Sequence, residues 1–239
     1  MRAHAVLLDV THRLLLRDGA PFVVEVPPGV RPLQALEAAA RDELGRTLHE
    51  ALGHRVVGGD AWFVFVDHAV GGGELVPLRA WAPRLAEPWA LYVDAMLGGW
   101  RPPSMELEVF YFGDEPRLAS ELAHHVVKGT KRATTAWVAA VTHDGWAVSR
   151  PGMLSIVTDG FGVPLCAIET TRVERGRFCD ASAEIAAAEG EGDLSLDDWR
   201  ASHVAYFTRE GARIGIPFTD DAEMYYEYFR VLQVFGRAG

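Results

Sequence analysis

Lys131 and Thr134 stand three residues apart in the stretch Gly129-Thr130-Lys131-Arg132-Ala133-Thr134-Thr135. If the segment is helical, that spacing puts both on one face. A hydroxyl there attacks an electrophile or positions water, and the amine accepts a proton or stabilises an oxyanion. A Lys–Thr pair alone is as much at home on a solvated surface. Chemistry at this loop also needs an acid. The turn Ala187-Ala188-Glu189-Gly190-Glu191-Gly192-Asp193-Leu194-Ser195-Leu196 carries three. The alternative for Glu189, Glu191 and Asp193 is to cap the helix that starts near Ser195, where negative charge is favourable. A metal role for the three lacks a histidine ligand pattern.

Other side chains of the same half suit a ligand. Lys128, Lys131 and Arg132 make a small positive patch that fits phosphate contact at one point. Trp137, Trp199 and Arg200 can stack on a base, although core packing is the commoner fate of tryptophan. Glu169 is a second pocket acid or a paired surface residue. His124 and His125 lie mid-helix and are assigned no role.

The elements that must position these groups follow from pattern. Glu106–Phe112 alternates as a strand, and Glu115–Val127 reads as a helix with Asp114 as its N-cap. Lys131–Val141 reads as helical. Met153–Thr158 and Pro164–Val173 read as strands joined by the turn Asp159-Gly160-Phe161-Gly162. Glu184–Glu189 and Leu196–Ile214 read as helices. Tyr225–Phe235 alternates aromatic and aliphatic residues and closes a sheet. Short strands with helices around them suggest an α+β fold, here a small mixed barrel.

Gly98-Gly99-Trp100-Arg101-Pro102-Pro103 denies both helix and strand, so residues 1–103 and 104–239 are expected to form separate domains. In the first part, Ala3–Leu8 and Arg13–Leu16 pair as strands. Pro21–Val26 is a third strand and Leu33–Leu48 a helix. Arg55–His68 is a strand, Gly71-Gly72-Gly73 turns the chain into Leu75–Trp81, and Pro88–Leu97 is a closing helix.

The second half resembles the ASCH domain family over about Met105–Val234. The marks are the Gly-x-Lys-x-x-Thr loop at Gly129, the strand Ile168-Glu169-Thr170-Thr171 and the acidic turn at Glu189. With them come Trp199-Arg200 followed by His203, and a closing strand with Phe229-Arg230-Val231. The resemblance implies a barrel related to the RNA-binding PUA fold. Some members are amidohydrolases that deacetylate N4-acetylcytidine with a Lys, a Thr and a Glu, and at least one is described as a ribonuclease. Those three roles fall on Lys131, Thr134 and Glu191, with Glu189 as a substitute for Glu191.

The first half resembles the Nudix hydrolase fold, an α/β/α sandwich, over about residues 3–103. Its metal-binding box is decayed. With Ala39-Ala40-Arg41-Asp42-Glu43-Leu44 aligned to the box, only Glu43 keeps a ligand position. Gln34 stands at the early glutamate, Arg46-Thr47 at the glutamate pair and His49 at the closing glycine. Metal sites need the full ligand count, so the expectation is an inactive domain that senses nucleotides or binds a partner.

The expected function is therefore binding of RNA or a modified nucleoside, with N4-acylcytidine hydrolysis as the reaction. The rivals are a non-catalytic RNA-binding module and a ribonuclease. No cofactor or metal is implied.

Formal charge is −10, which argues against gripping nucleic acid through bulk positive charge. Residues 1–103 carry 10 Lys+Arg against 12 Asp+Glu, and residues 104–239 carry 13 against 21. The acidic second part favours a small ligand over long RNA. Cys166 and Cys179 match no metal-binding spacing and suit a reducing compartment. Asp9 interrupts the first apolar run too early for a signal peptide, and the apolar stretches are strand-sized. A cytoplasmic protein without a membrane span is expected.

Overall fold

The computed structural model describes residues 1–67 and 73–236. The His68 end of one expected strand, and Gly71 and Gly72 of the expected turn, lie outside them. Among the described residues no helix is long and apolar enough to cross a membrane.

In the first sheet, β1 (Arg2–Leu8) is apolar on both faces and buried along its length after Arg2, which is the pattern of a central strand. β2 (Leu14–Leu16) and β3 (Phe22–Glu25) pair with it antiparallel. α1 (Pro32–Leu44) starts with proline in its first turn and stops at Gly45, whose φ is 64°. The helix therefore ends short of the expected Leu48. The expected single strand at Arg55 is two strands, β4 (Gly53–Val57) and β5 (Asp60–Val66). Gly58 and Gly59 turn between them with φ of 58° and 86°, a two-residue hairpin that needs left-handed backbone. β5 runs parallel to β1, with Ala3 opposite Ala61 and Leu8 opposite Val66.

The segment Leu75–Trp81 lies in β6 (Glu74–Val76) and the short helix α2 (Leu78–Trp81). Pro77 separates them. α3 (Ala86–Met96) is the expected closing helix. The sheet order is β4-β5-β1-β2-β6, with β3 on β1.

The second sheet begins with β7 (Leu107–Phe110), after which α4 (Pro116–Lys128) ends at Gly129. Glu115, not Asp114, takes the N-cap position, without a side-chain bond. Asp114 instead holds Arg209 at 2.7 Å. The segment expected to be helical from Lys131 is strand β8 (Ala133–Trp137), and only then α5 (Val138–Asp144). β9 (Leu154–Thr158) and β10 (Pro164–Arg177) flank the expected turn, where Asp159 Oδ1 accepts from the Phe161 and Val163 amides. α6 (Ala183–Glu189), α7 (Leu196–Ile214) and β11 (Glu223–Val234) complete the chain.

The sheet order is β7-β9-β10-β11-β8. It is open among the described residues, so the expected closed barrel is corrected to an open sheet. β8 is an edge strand paired only through β11, with Trp137 opposite Met224 and Ala133 opposite Tyr228.

The chain divides into two compact units. The first holds Met1–Tyr111, Ile156–Leu165 and the residues from Phe235. The second holds Phe112–Ser155 and Cys166–Val234. The first unit's core gathers Ala3, Leu7, Phe22, Leu36 and Phe65, while the second's gathers Trp137, Phe178, Trp199, Phe207 and Met224.

A buried polar node anchors the first unit. His12, at φ 57°, lies fully inside. Its Nε2–H donates to the Gly162 carbonyl at 2.7 Å, and its Nδ1 accepts from the Tyr92 hydroxyl at 2.5 Å. Burial pushes its pKa down to about 4. The unfolded chain takes up a proton on this ring below about pH 6.5, and the folded chain does so only near 4. Stability therefore falls as pH drops through that window, by about 3 kcal/mol at its end. Urea unfolding at pH 7 and pH 4.5 measures this loss, and His12→Asn, which tolerates left-handed backbone, should flatten the pH dependence while lowering stability at pH 7.

Candidate functional site

The strand identity of β8 decides which side chains meet. Successive residues of a strand face opposite sides, and along Lys131, Ala133, Thr135 and Trp137 every second residue is buried. Lys131 and Thr135 therefore share the inner face. Thr134 points the other way, half-buried, with Glu227 as its cross-strand neighbour. The expected Lys131–Thr134 helical face does not form.

What Lys131 meets is α6 and the turn after it. Its side chain is 1% exposed, and Nζ donates to Glu189 Oε2 at 3.0 Å. It also donates to Glu191 Oε1 and lies 5.1 Å from the centre of the Phe112 ring. Glu189, also 1% exposed, is the hub. Its Oε1 accepts from Thr135 Oγ1 at 2.6 Å and from Trp199 Nε1 at 3.0 Å. His203 Nε2 faces the same oxygen at 3.6 Å. The His203 ring stacks on Trp199 at 4.1 Å, and its Nδ1–H donates to the Trp199 carbonyl at 2.9 Å.

Local sequence explains each placement. Ser182 caps α6, and seven residues later Glu189 ends it facing inward. Gly190 follows at φ 68°, where a Cβ would stand 2.1 Å from the Thr130 carbonyl oxygen, so only glycine lets the turn close on the Lys131 loop. The backbone is tied there by the Arg132 amide donating to the Ala188 carbonyl at 2.7 Å. Gly192, at φ 55°, is in left-handed backbone, and a Cβ there would meet the Asp198 carboxylate. Between these glycines Glu191 reaches back to Lys131 with its side chain 27% exposed. Ser195 caps α7, accepting from the Asp198 amide, while Asp193 accepts from the Ser195 amide. Of the three acids in the turn, only Asp193 serves the helix start. Trp199 and His203, four residues apart on α7, then face Glu189 together.

The electrostatics give the two acids different roles. Burial disfavours the Lys131 ammonium, but Glu189 and Glu191 outweigh it and hold its pKa above the ordinary lysine value. Lys131 is a permanent cation here, not a base. Burial also works against the Glu189 carboxylate, but Lys131, His203 and Thr135 outweigh it and hold its pKa far below the usual range. Glu189 is a fixed anion with its oxygens occupied. Glu191, partly open to solvent, is the acid that can reach a ligand.

The remaining expected residues are scattered. Lys128 and Arg132 are exposed, and Trp137 is in the core against Phe207 and Phe218. Trp199 is buried against Phe178. Arg200 donates to the Cys179 and Ala181 carbonyls. Glu169 pairs with Arg230 at 2.6 Å. Cys166 is buried and Cys179 half-buried, both free. Cavities open in this unit, two of them against these residues. One of about 370 Å³ is lined by Phe178, Cys179, Arg200 and Asp220 among others. The other, of about 350 Å³, is lined chiefly by β10, α6 and β11. Lys131, Thr134 and Glu191 line neither. The contacts of Thr135 and His203 with Glu189 were not read from sequence. The four-residue spacing of Trp199 and His203 is a signal for the second, whereas the first follows only from the strand form of Ala133–Trp137.

The model of the ASCH domain family matches residues 108–233, more than half of the chain. Among solved structures, an ASCH domain from Lactobacillus crispatus JV V101 is 30% identical at a TM-score of 0.52, covering 59% of this chain and 91% of that one. A protein from Enterococcus faecalis V583 is 28% identical at a TM-score of 0.51, covering 61% and 86%. No curated protein matches the chain.

The two threonines separate by stability. Thr135→Val removes a donor from a buried carboxylate and should cost about 1.5–3 kcal/mol, whereas Thr134→Val should stay within about 0.5 kcal/mol. Chemical denaturation of the two variants measures the difference.

Proposed function

The chain belongs to the ASCH domain family, a PUA-like RNA-binding family, and from that premise we propose that its second unit binds RNA or a modified nucleoside and hydrolyses an N4-acylcytidine-type amide at the Lys131–Glu191 pair. One observation carries the reading: a buried, permanently charged ammonium bridges a locked carboxylate and a second carboxylate that reaches solvent.

Each group has a task. Glu191 takes a proton from water as the water oxygen bonds to the acyl carbon. The Lys131 ammonium stabilises the oxyanion that forms there. As the carbon–nitrogen bond breaks, the proton held by Glu191 passes to N4, leaving a carboxylic acid and cytidine. Glu189 keeps Lys131 in place and charged. Thr134, expected to supply or position the nucleophile, faces away from Lys131, so in this reading water attacks without it.

The surface supports a small ligand. With Lys131 buried, the expected basic patch reduces to Lys128 and Arg132 on an acidic chain. We read the first unit as a Nudix-like partner without metal chemistry. Glu43 is paired with Arg17 at 2.8 Å, and Arg46 with Asp67 at 3.1 Å. A cytoplasmic location is part of the same proposal.

A second reading, a non-catalytic RNA-binding module, is favoured by one fact: Lys131 lines neither cavity. Incubation with N4-acetylcytidine separates the two. The first reading expects acetate release, reduced at least about 100-fold in Glu191→Gln, as for loss of a general acid–base group. No acetate from the wild type, with measurable affinity for single-stranded RNA, would establish the binding module instead.

A further inference from the structure

We infer that the 370 Å³ cavity between α7, the short 3-10 helix Phe178–Asp180 and the turn before β11 binds a small zwitterion, an α-amino acid with an apolar side chain. The inference is independent of the chemistry proposed at Lys131 and Glu191.

The observation that carries it is an uncompensated guanidinium. Other arginines of this unit hold carboxylates: Arg172 holds Glu174, Arg177 holds Asp180 and Arg209 holds Asp114. Arg200 has no carboxylate partner among the described residues. Its Nη2 donates to the Cys179 carbonyl at 3.0 Å and to the Ala181 carbonyl at 3.3 Å, and its Nε–H is buried without a partner. One nitrogen therefore fixes the planar fork at the cavity while its charge stays unneutralised. A guanidinium ordered in advance binds a carboxylate with little further loss of side-chain freedom.

Asp220 lines the same cavity, and it too has no ion-pair partner among the described residues. The Cys179 amide donates to the Asp220 carbonyl at 2.8 Å, which ties that turn to the 3-10 helix. Two opposite charges thus border one small space without meeting. A molecule that carries a carboxylate and an ammonium on one carbon bridges them, with the carboxylate on Arg200 and the ammonium on Asp220. A phosphate or a dicarboxylate would instead bring surplus negative charge to Asp220. It would also approach Asp180 and Asp221, which each lie 3.8 Å from Cys179 Sγ.

The rest of the lining selects the side chain. The volume is that of a small-molecule site. The Phe178 ring is held by stacking on Trp199 at 5.3 Å and by Phe218 edge-on at 5.0 Å. Ala201 and Val204 extend the wall along α7, three residues apart, and Val204 is 40% exposed. An aliphatic chain of leucine's size removes this apolar surface from water, and a charged chain does not.

Cys179 reports occupancy. It lines the cavity half-buried, whereas Cys166 is buried and its thiol is pushed up to about 12. A maleimide should therefore label Cys179 ahead of Cys166, as peptide mass spectrometry reads. L-leucine at about ten times its Kd should slow that labelling about tenfold. Calorimetric titration should show L-leucine bound at least about tenfold more tightly than leucinamide, which lacks the carboxylate, or 4-methylpentanoate, which lacks the ammonium. Arg200→Met and Asp220→Asn should each lose about tenfold or more in leucine affinity, with circular dichroism reporting that they fold. No leucine binding at millimolar concentration, either analogue binding as tightly as L-leucine, or unchanged affinity in either folded variant overturns the inference. Cys179 labelling that ignores saturating leucine overturns the placement.

Discussion

The second unit is organised around one carboxylate. Removing Glu189 and Lys131 from water costs several kcal/mol for each ion, and attraction between them repays this only when their remaining valences are filled. Here they are filled from four elements. Lys131 comes from the loop before β8, Thr135 from β8, Glu189 from α6, and Trp199 and His203 from α7. Each of these donors is useless to Glu189 unless its own element is docked. The ion cluster is thus satisfied only in one packing of the sheet edge against two helices.

That constraint explains the glycines of the acidic turn. Gly190 must approach the Thr130 carbonyl and Gly192 must pass Asp198, and both take left-handed backbone. A side chain at either would push Glu191 away from the ammonium it meets. The turn therefore holds one acid inside and one acid at the surface, two residues apart. Their environments differ: Glu189 is buried with its oxygens bonded, and Glu191 is partly open to solvent.

The first unit shows the same economy on a smaller scale. His12 sits in left-handed backbone inside an apolar cluster, with both ring nitrogens bonded. Trp81 donates to its carbonyl at 3.2 Å. A buried polar node of this kind tolerates little rearrangement, since each member left alone costs the desolvation of the other.

Much of the architecture was legible in the residues. Apolar runs and the Asp159-Gly160-Phe161-Gly162 turn placed β1, β9 and β10, alternation placed β7 and β11, helical spacing together with Ser195 placed α7, and the ASCH markers carried the family. Those signals are local, set by burial period and caps. The sequence likewise named Lys131 and Glu191 and put Glu189 beside them. It could not say that Lys131–Val141 begins as a strand. Ala133-Thr134-Thr135-Ala136-Trp137 is compatible with either period, and only pairing with β11 at the sheet edge selects the extended form. With that choice the partner of the site moved from Thr134 to Thr135. The open sheet edge, the buried hub and the Trp199–His203 pair facing it were likewise decided by tertiary packing, because each depends on residues more than fifty positions apart or on which face of a helix finds a neighbour.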